Sequence, residues 1–102
     1  MIRVTHLFLV SKDGGDVEDY IHKTYLPLVA GLPDMLRYEM AFVIGPTLGN
    51  TPAHAILDQY FQDEDAMNAA MASPSGKALS REIMANPRIA PELIISRVTE
   101  IG

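Results

Sequence analysis

The chain has 102 residues, of which eight are basic and thirteen acidic, giving a net charge of −5. Its lysines and arginines form no cluster, so the phosphate-neutralising surface that nucleic-acid binding requires is missing and nucleic acid is excluded as the main partner. With no cysteine there is no disulfide, thiol nucleophile or zinc–thiolate centre: an apolar core must hold one domain over 1–102, a composition that fits a reducing, cytoplasmic setting.

In chain order, residues 2–10 (IRVTHLFLV) are too short and too polar for a membrane span and predict a strand, so no membrane association is expected. The adjacent glycines of Asp13-Gly14-Gly15-Asp16 carry acidic flanks that would repel phosphate, which excludes a nucleotide-binding loop there. Asp16 can cap a helix whose apolar positions Val17, Tyr20, Ile21, Thr24 and Leu28 follow the helical period. That helix meets Pro27 and then Gly31-Leu32-Pro33-Asp34. An interior proline costs a helix about 3 kcal/mol, so Pro27 should end or bend it.

Strands are predicted at 36–44 (LRYEMAFVI) and 54–61 (HAILDQYF), joined by a loop over 45–53. From Asp63 to Ala85 the sequence is rich in Ala, Met and Glu, strong helix formers. Ser73-Pro74-Ser75-Gly76 divides it, with Ser73 as cap and Pro74 at a first helical position, where proline is well tolerated. Punctuation of this kind explains the two serines better than a nucleophile does. Met67, Met71 and Met84 read as helix-core packing. A last strand is predicted at 94–99 (IISRVT).

The order strand, helix, strand, strand, helix, strand predicts an α+β protein with a ferredoxin-like βαββαβ fold: a four-stranded antiparallel sheet with helices on one face, β-strands one and three central. Alternation divides the strand residues into two faces. Even positions give Ile2, Val4, His6, Phe8 and Val10, then Leu36, Tyr38, Met40, Phe42 and Ile44, then His54, Ile56, Asp58 and Tyr60. This set is the more aromatic and is assigned to the helices. The odd set includes Leu7, Leu9, Val43, Leu57 and Phe61. A contiguous apolar patch on a bare sheet face asks for a cover, and a second copy of the chain is the simplest, giving a homodimer through the sheet.

Three titratable residues then fall on the helix side: His6, His54 and Asp58. Pairing position 2 near 62 and position 10 near 54 would set His6 beside Asp58, about 5 Å apart at Cβ. A carboxylate there would fix the imidazole tautomer and raise its basicity, as a general base requires; the structural alternative is a satisfied pair of core polar groups. The three match a metal triad only in composition, and no tight ligand spacing such as H-x-x-x-H supports one, so no metal is expected.

The runs YLPLVAGLPDMLRYEM, HAILDQYF and MNAAMASPSGKAL resemble, in the same order and over nearly the whole chain, the EthD family of small dimeric α+β-barrel proteins. The resemblance implies two ferredoxin-like sheets packed back to back, and a first helix ending in a His-x-Pro-Leu pattern near a pocket mouth. Here Tyr25 stands in the place of that histidine, a hydrogen-bond donor at neutral pH rather than a proton exchanger. His22, three residues earlier, does not match the pattern and is expected to face solvent with Leu26. The wider dimeric-barrel group includes a plant polyketide cyclase. His6 falls where that enzyme has a pocket histidine, its second pocket histidine falls at Ala55, and its catalytic tyrosine–histidine pair has no counterpart around Ser73 to Gly76.

Two functional readings follow. In the first, a small cofactor-free enzyme acts by proton transfer on an apolar, oxygen-bearing small molecule. His6 is its base, Asp58 orients it, Tyr25, His54 and Tyr60 donate to the substrate oxygen, and Phe8, Met40, Phe42 and Ile56 line an apolar pocket. In the second, the pocket binds a hydrophobic metabolite without turning it over, as an accessory protein of a degradation or biosynthesis pathway.

Overall fold

The structure, a computed structural model, describes residues 1–9, 14–44, 53–87 and 89–101, with the side chains of 14–16 and 53 excepted. The places predicted for Val10, for most of the 45–53 loop and for the Asp16 side chain lie outside these.

Four strands form one antiparallel sheet: β1 (Ile2–Leu9), β2 (Arg37–Phe42), β3 (Ala53–Phe61) and β4 (Glu92–Arg97), in the order β2-β3-β1-β4. Helical segments join β1 to β2 and β3 to β4. The first comprises α1 (Gly14–Tyr20), a π-helical turn (Ile21–Tyr25) and α2 (Leu26–Ala30); the second is α3 (Glu64–Ala72) followed by α4 (Pro74–Ala85). This is the α+β ferredoxin-like arrangement that the order of elements predicts. Among the described residues no helix is long and apolar enough to cross a membrane.

Asp16 lies within α1, two residues past its start, so it is not the residue before the helix. Pro27 neither ends nor breaks the segment but sits in the first turn of α2. After α2 the chain turns through Asp34, whose φ of 62° lies in the left-handed region that aspartate tolerates. Ser73 does cap α4, its hydroxyl accepting from the Gly76 N–H at 3.1 Å, and Asp63 caps α3 in the same way through Ala66. A side chain at Gly76 would collide with the carbonyls of Ala70 and Met71, so glycine allows α4 to start tightly against the end of α3.

The core lies between the helices and one sheet face. Phe8, Val17, Ile21, Tyr25, Val29, Leu32, Ala55, Leu57 and Leu79 form its larger cluster, and Ile2, Val4, Phe61, Met67 and Ala70 its smaller one. Met67 packs as expected; Met84 is exposed instead. Leu26 packs partly on the core, while His22 is exposed.

The even positions of β1 face the helices, as read from the sequence. Strand β3 corrects that reading. Ile2 pairs with Phe61, Val4 with Gln59, His6 with Leu57 and Phe8 with Ala55, with a register shift at His54, so the odd residues of β3 face the core and Ile56, Asp58 and Tyr60 turn toward the opposite face. The register lies one residue from the expected one, and a one-residue slip exchanges every side chain between faces. The physical reason is in the residues: the observed register buries Ala55, Leu57, Gln59 and Phe61 with no charge, whereas the other would bury the Asp58 carboxylate.

Candidate functional site

His6 stands at the middle of β1, a central strand, flanked on the same face by Val4 and Phe8, and is completely buried. A polar ring in that position must be hydrogen-bonded through both nitrogens. Two residues meet the need. Tyr25, at the end of the π turn, sets its hydroxyl 2.6 Å from Nδ1. Gln59, diagonal to His6 on β3, sets Oε1 2.5 Å from Nε2, within the reach of a diagonal cross-strand pair. Gln59 and Tyr25 are themselves fully buried.

Donor and acceptor types fix the protons. The Gln59 carbonyl oxygen can only accept, so His6 Nε2–H donates to it; the Gln59 amide nitrogen points the other way, to the Met35 sulfur at 3.4 Å. In the neutral ring Nδ1 is then the acceptor, and the Tyr25 hydroxyl donates to it. Burial keeps His6 neutral: desolvation pushes its pKa below 6.5, against smaller upward pulls from the Gln59 hydrogen bond and the charge of Asp58 across the sheet. Burial pushes the Tyr25 phenol up, with a further contribution from Tyr20, so it stays protonated and remains a donor.

The surroundings are apolar and aromatic. Phe8 meets Tyr25 edge to face, centroids 5.0 Å apart, and Met40, Phe42, Leu26 and Tyr20 pack partly buried against the same cluster. At its flank Tyr20 on α1 donates to Glu82 of α4 at 2.9 Å, and the same carboxylate oxygen accepts from the Asn86 amide at 2.7 Å. The Tyr20 ring lies 6.3 Å from that of Tyr25.

Of the residues expected at the site, His6, Tyr25, Phe8, Met40 and Phe42 come together. Asp58 does not: it lies on the other sheet face, accepting from the Thr5 hydroxyl at 2.6 Å with Arg3 at 4.0 Å. Tyr60 lies under the Arg37 guanidinium, 4.3 Å above its ring, and Ile56, opposite Leu7, shares that face. His54 sits at the sheet end, its ring edge-on to Phe42 at 6.5 Å. His6, His54 and Asp58 therefore do not converge. Among the described residues no group of three or more His, Cys, Asp or Glu could hold a metal ion. Gln59 was missed by sequence reasoning, although it is the one polar residue among the odd positions of β3.

No protein-family model matches the chain, and no curated protein matches it by sequence. Solved structures do match its fold. An ethyl tert-butyl ether d (EthD) family protein from Bacillus halodurans superposes with a TM-score of 0.83 at 19% identity, over 97% of this chain and 99% of the other. A hydroxynitrile lyase from Passiflora edulis gives a TM-score of 0.70 at 16% identity over 99% and 96%. A cofactor-independent oxygenase from Streptomyces nogalater gives 0.61 at 17% identity over 98% and 94%. At these identities the likeness is one of fold.

Proposed function

We propose that this chain is an EthD-like, cofactor-free enzyme that moves a proton on an apolar, oxygen-bearing small molecule, in an isomerisation, cyclisation or elimination next to a carbonyl. The observation that carries the reading is the hydrogen-bonded line Tyr25–His6–Gln59, buried in an apolar shell. Each member has a role that its chemistry already suits. When a substrate carbonyl enters beside Tyr25, the phenol turns its O–H to that oxygen and frees His6 Nδ1. The carbon next to the carbonyl gives its proton to Nδ1, and the electron pair left behind moves onto the oxygen that Tyr25 holds. The Gln59 carbonyl steadies the imidazolium through Nε2–H, and the proton returns at a different atom or leaves with a departing group. A base whose pKa lies below its usual value is unprotonated at neutral pH, and a donor fixed in a dry site stabilises developing charge more than one in water. Asp58 has no part in this line.

The neighbouring fold members include a lyase and a cofactor-independent oxygenase, which supports small-molecule chemistry on this scaffold. A second reading, a binding protein without turnover, is favoured by one observation: His6, Tyr25 and Gln59 satisfy one another completely within the core. Thermal shifts with a panel of apolar carbonyl compounds, followed by product analysis on each stabilising ligand, separate the two. Product formed by the wild type and lost in His6→Gln supports the enzyme; stabilisation without product supports the binder.

The bare sheet face belongs to the same proposal. Its apolar residues are Leu7, Leu9, Ala41, Val43, Ile56 and Ile94, with Ile94 and Val43 well exposed. Leu57 and Phe61, expected there, are core residues. A second copy of the chain packed back to back covers the corrected patch.

A further inference from the structure

The first helical segment has an unusual periodicity. Its fully buried residues are Val17, Ile21, Tyr25 and Val29, one at every fourth position; of the positions expected on the helical period Val17 and Ile21 are among them, while Tyr20, Thr24 and Leu28 are only partly buried. Four residues of α-helix turn through about 400°, so each step would overshoot by about 40° and three by about 120°. A regular helix would carry this stripe off the core. The π turn at Ile21–Tyr25, closed by the Leu26 N–H donating to the Ile21 carbonyl five residues back, widens the helix and returns the overshoot where Tyr25 needs it.

Pro27 stands just after that turn, in the first turn of α2 and exposed. An exposed ring contributes little to the core, which leaves the backbone chemistry of proline as the property to consider. In a regular helix the N–H of residue 27 would bond the carbonyl of Lys23, but proline has no N–H and its ring crowds that same carbonyl. A widened turn relieves the crowding, and such single π turns recur at functional sites.

We infer that Pro27 is a positioning residue: it denies the segment a regular α-helix and so aims Tyr25 at His6. The inference rests on the reading of His6 and Tyr25 as the site, but its test does not need turnover. With alanine at 27 both obstacles vanish and the regular helix becomes accessible. Ile21 stays anchored in the core, Tyr25 swings past Nδ1, and its hydroxyl leaves hydrogen-bond range.

The test is nitrogen-15 NMR of histidine-labelled protein, which has only three histidines to resolve. Tyr25→Phe defines the His6 ring signals without the hydroxyl. Pro27→Ala is expected to fold, with helicity equal to or above the wild type and a lower thermal midpoint as in Tyr25→Phe, and to shift the His6 signals to those of Tyr25→Phe while His54 stays unmoved. A Pro27→Ala protein whose His6 signals superimpose on the wild type overturns the inference, and so does one that fails to fold, because the inference has alanine fitting a regular helix. Loss of the hydrogen bond with no catalytic activity in any variant would leave Pro27 as the positioning residue and count against the enzyme alone.

Discussion

Tyr25 and His6 meet twice: their rings pack edge to face, centroids 5.7 Å apart at 80°, and the Tyr25 hydroxyl lies 2.6 Å from Nδ1. The two contacts can be separated. Tyr25→Phe keeps the ring and removes the hydroxyl, leaving a buried acceptor without a partner, which costs about 1–3 kcal/mol. Urea unfolding should show a lower midpoint with an unchanged slope. A midpoint equal to that of the wild type would mean that the hydrogen bond contributes nothing to the fold.

The buried imidazole also sets a pH dependence. In the folded chain His6 has its pKa pushed below 6.5 by desolvation; unfolded, it returns to about 6.5. Below that pH the unfolded state therefore binds a proton that the folded state refuses, and stability falls as the solution is acidified. Between pH 6.5 and 5, before most carboxylates respond, the loss from this one group grows with acidity, at no more than about 1.4 kcal/mol per pH unit. Denaturation midpoints measured over this window should decline in the wild type and decline less in His6→Gln. Parallel curves would show that His6 titrates normally in the fold.

Neighbouring residues on β3 separate the core from the bare face that the proposed dimer would cover. Leu57 is fully buried beneath the helices, whereas Ile56 faces the bare side opposite Leu7. Ile56→Asp should leave a folded monomer in sedimentation, since a carboxylate desolvated between two sheets destabilises the pairing. Leu57→Asp should lose the fold itself, as an unpaired charge in the core costs more than the domain can spare. A wild type that sediments as a monomer at micromolar concentration would remove the dimer.

Tyr25 entered only through the family resemblance, whereas the order of elements, the central place of β1 and the inward aim of His6 and Phe8 were legible in the sequence, because composition, turn signals and alternation determine them locally. The face of β3 was not. Its two sets of alternate residues, one with Leu57 and Phe61 and one with Ile56 and Tyr60, are nearly equal in apolar character, so alternation alone did not choose between them. The cost of burying Asp58 did, and with that choice Gln59 replaced Asp58 as the second partner of His6. The π turn is hidden for a related reason: a period of 3.6 describes a regular helix, while Val17, Ile21, Tyr25 and Val29 recur at four. A β-branched or aromatic residue at every fourth place followed by Pro27 is the signal that could have found it.

Hydrogen exchange at a ligand carbon tests the proposed chemistry most directly. A stabilising ligand with a C–H next to its carbonyl is incubated with the protein in heavy water, and loss of that proton signal is followed by NMR. The wild type should remove it, and His6→Gln and Tyr25→Phe should slow the loss by about 100-fold or more, the usual worth of a positioned acid or base. A ligand that binds and keeps its C–H, or that exchanges equally fast in all three proteins, would contradict proton transfer at His6.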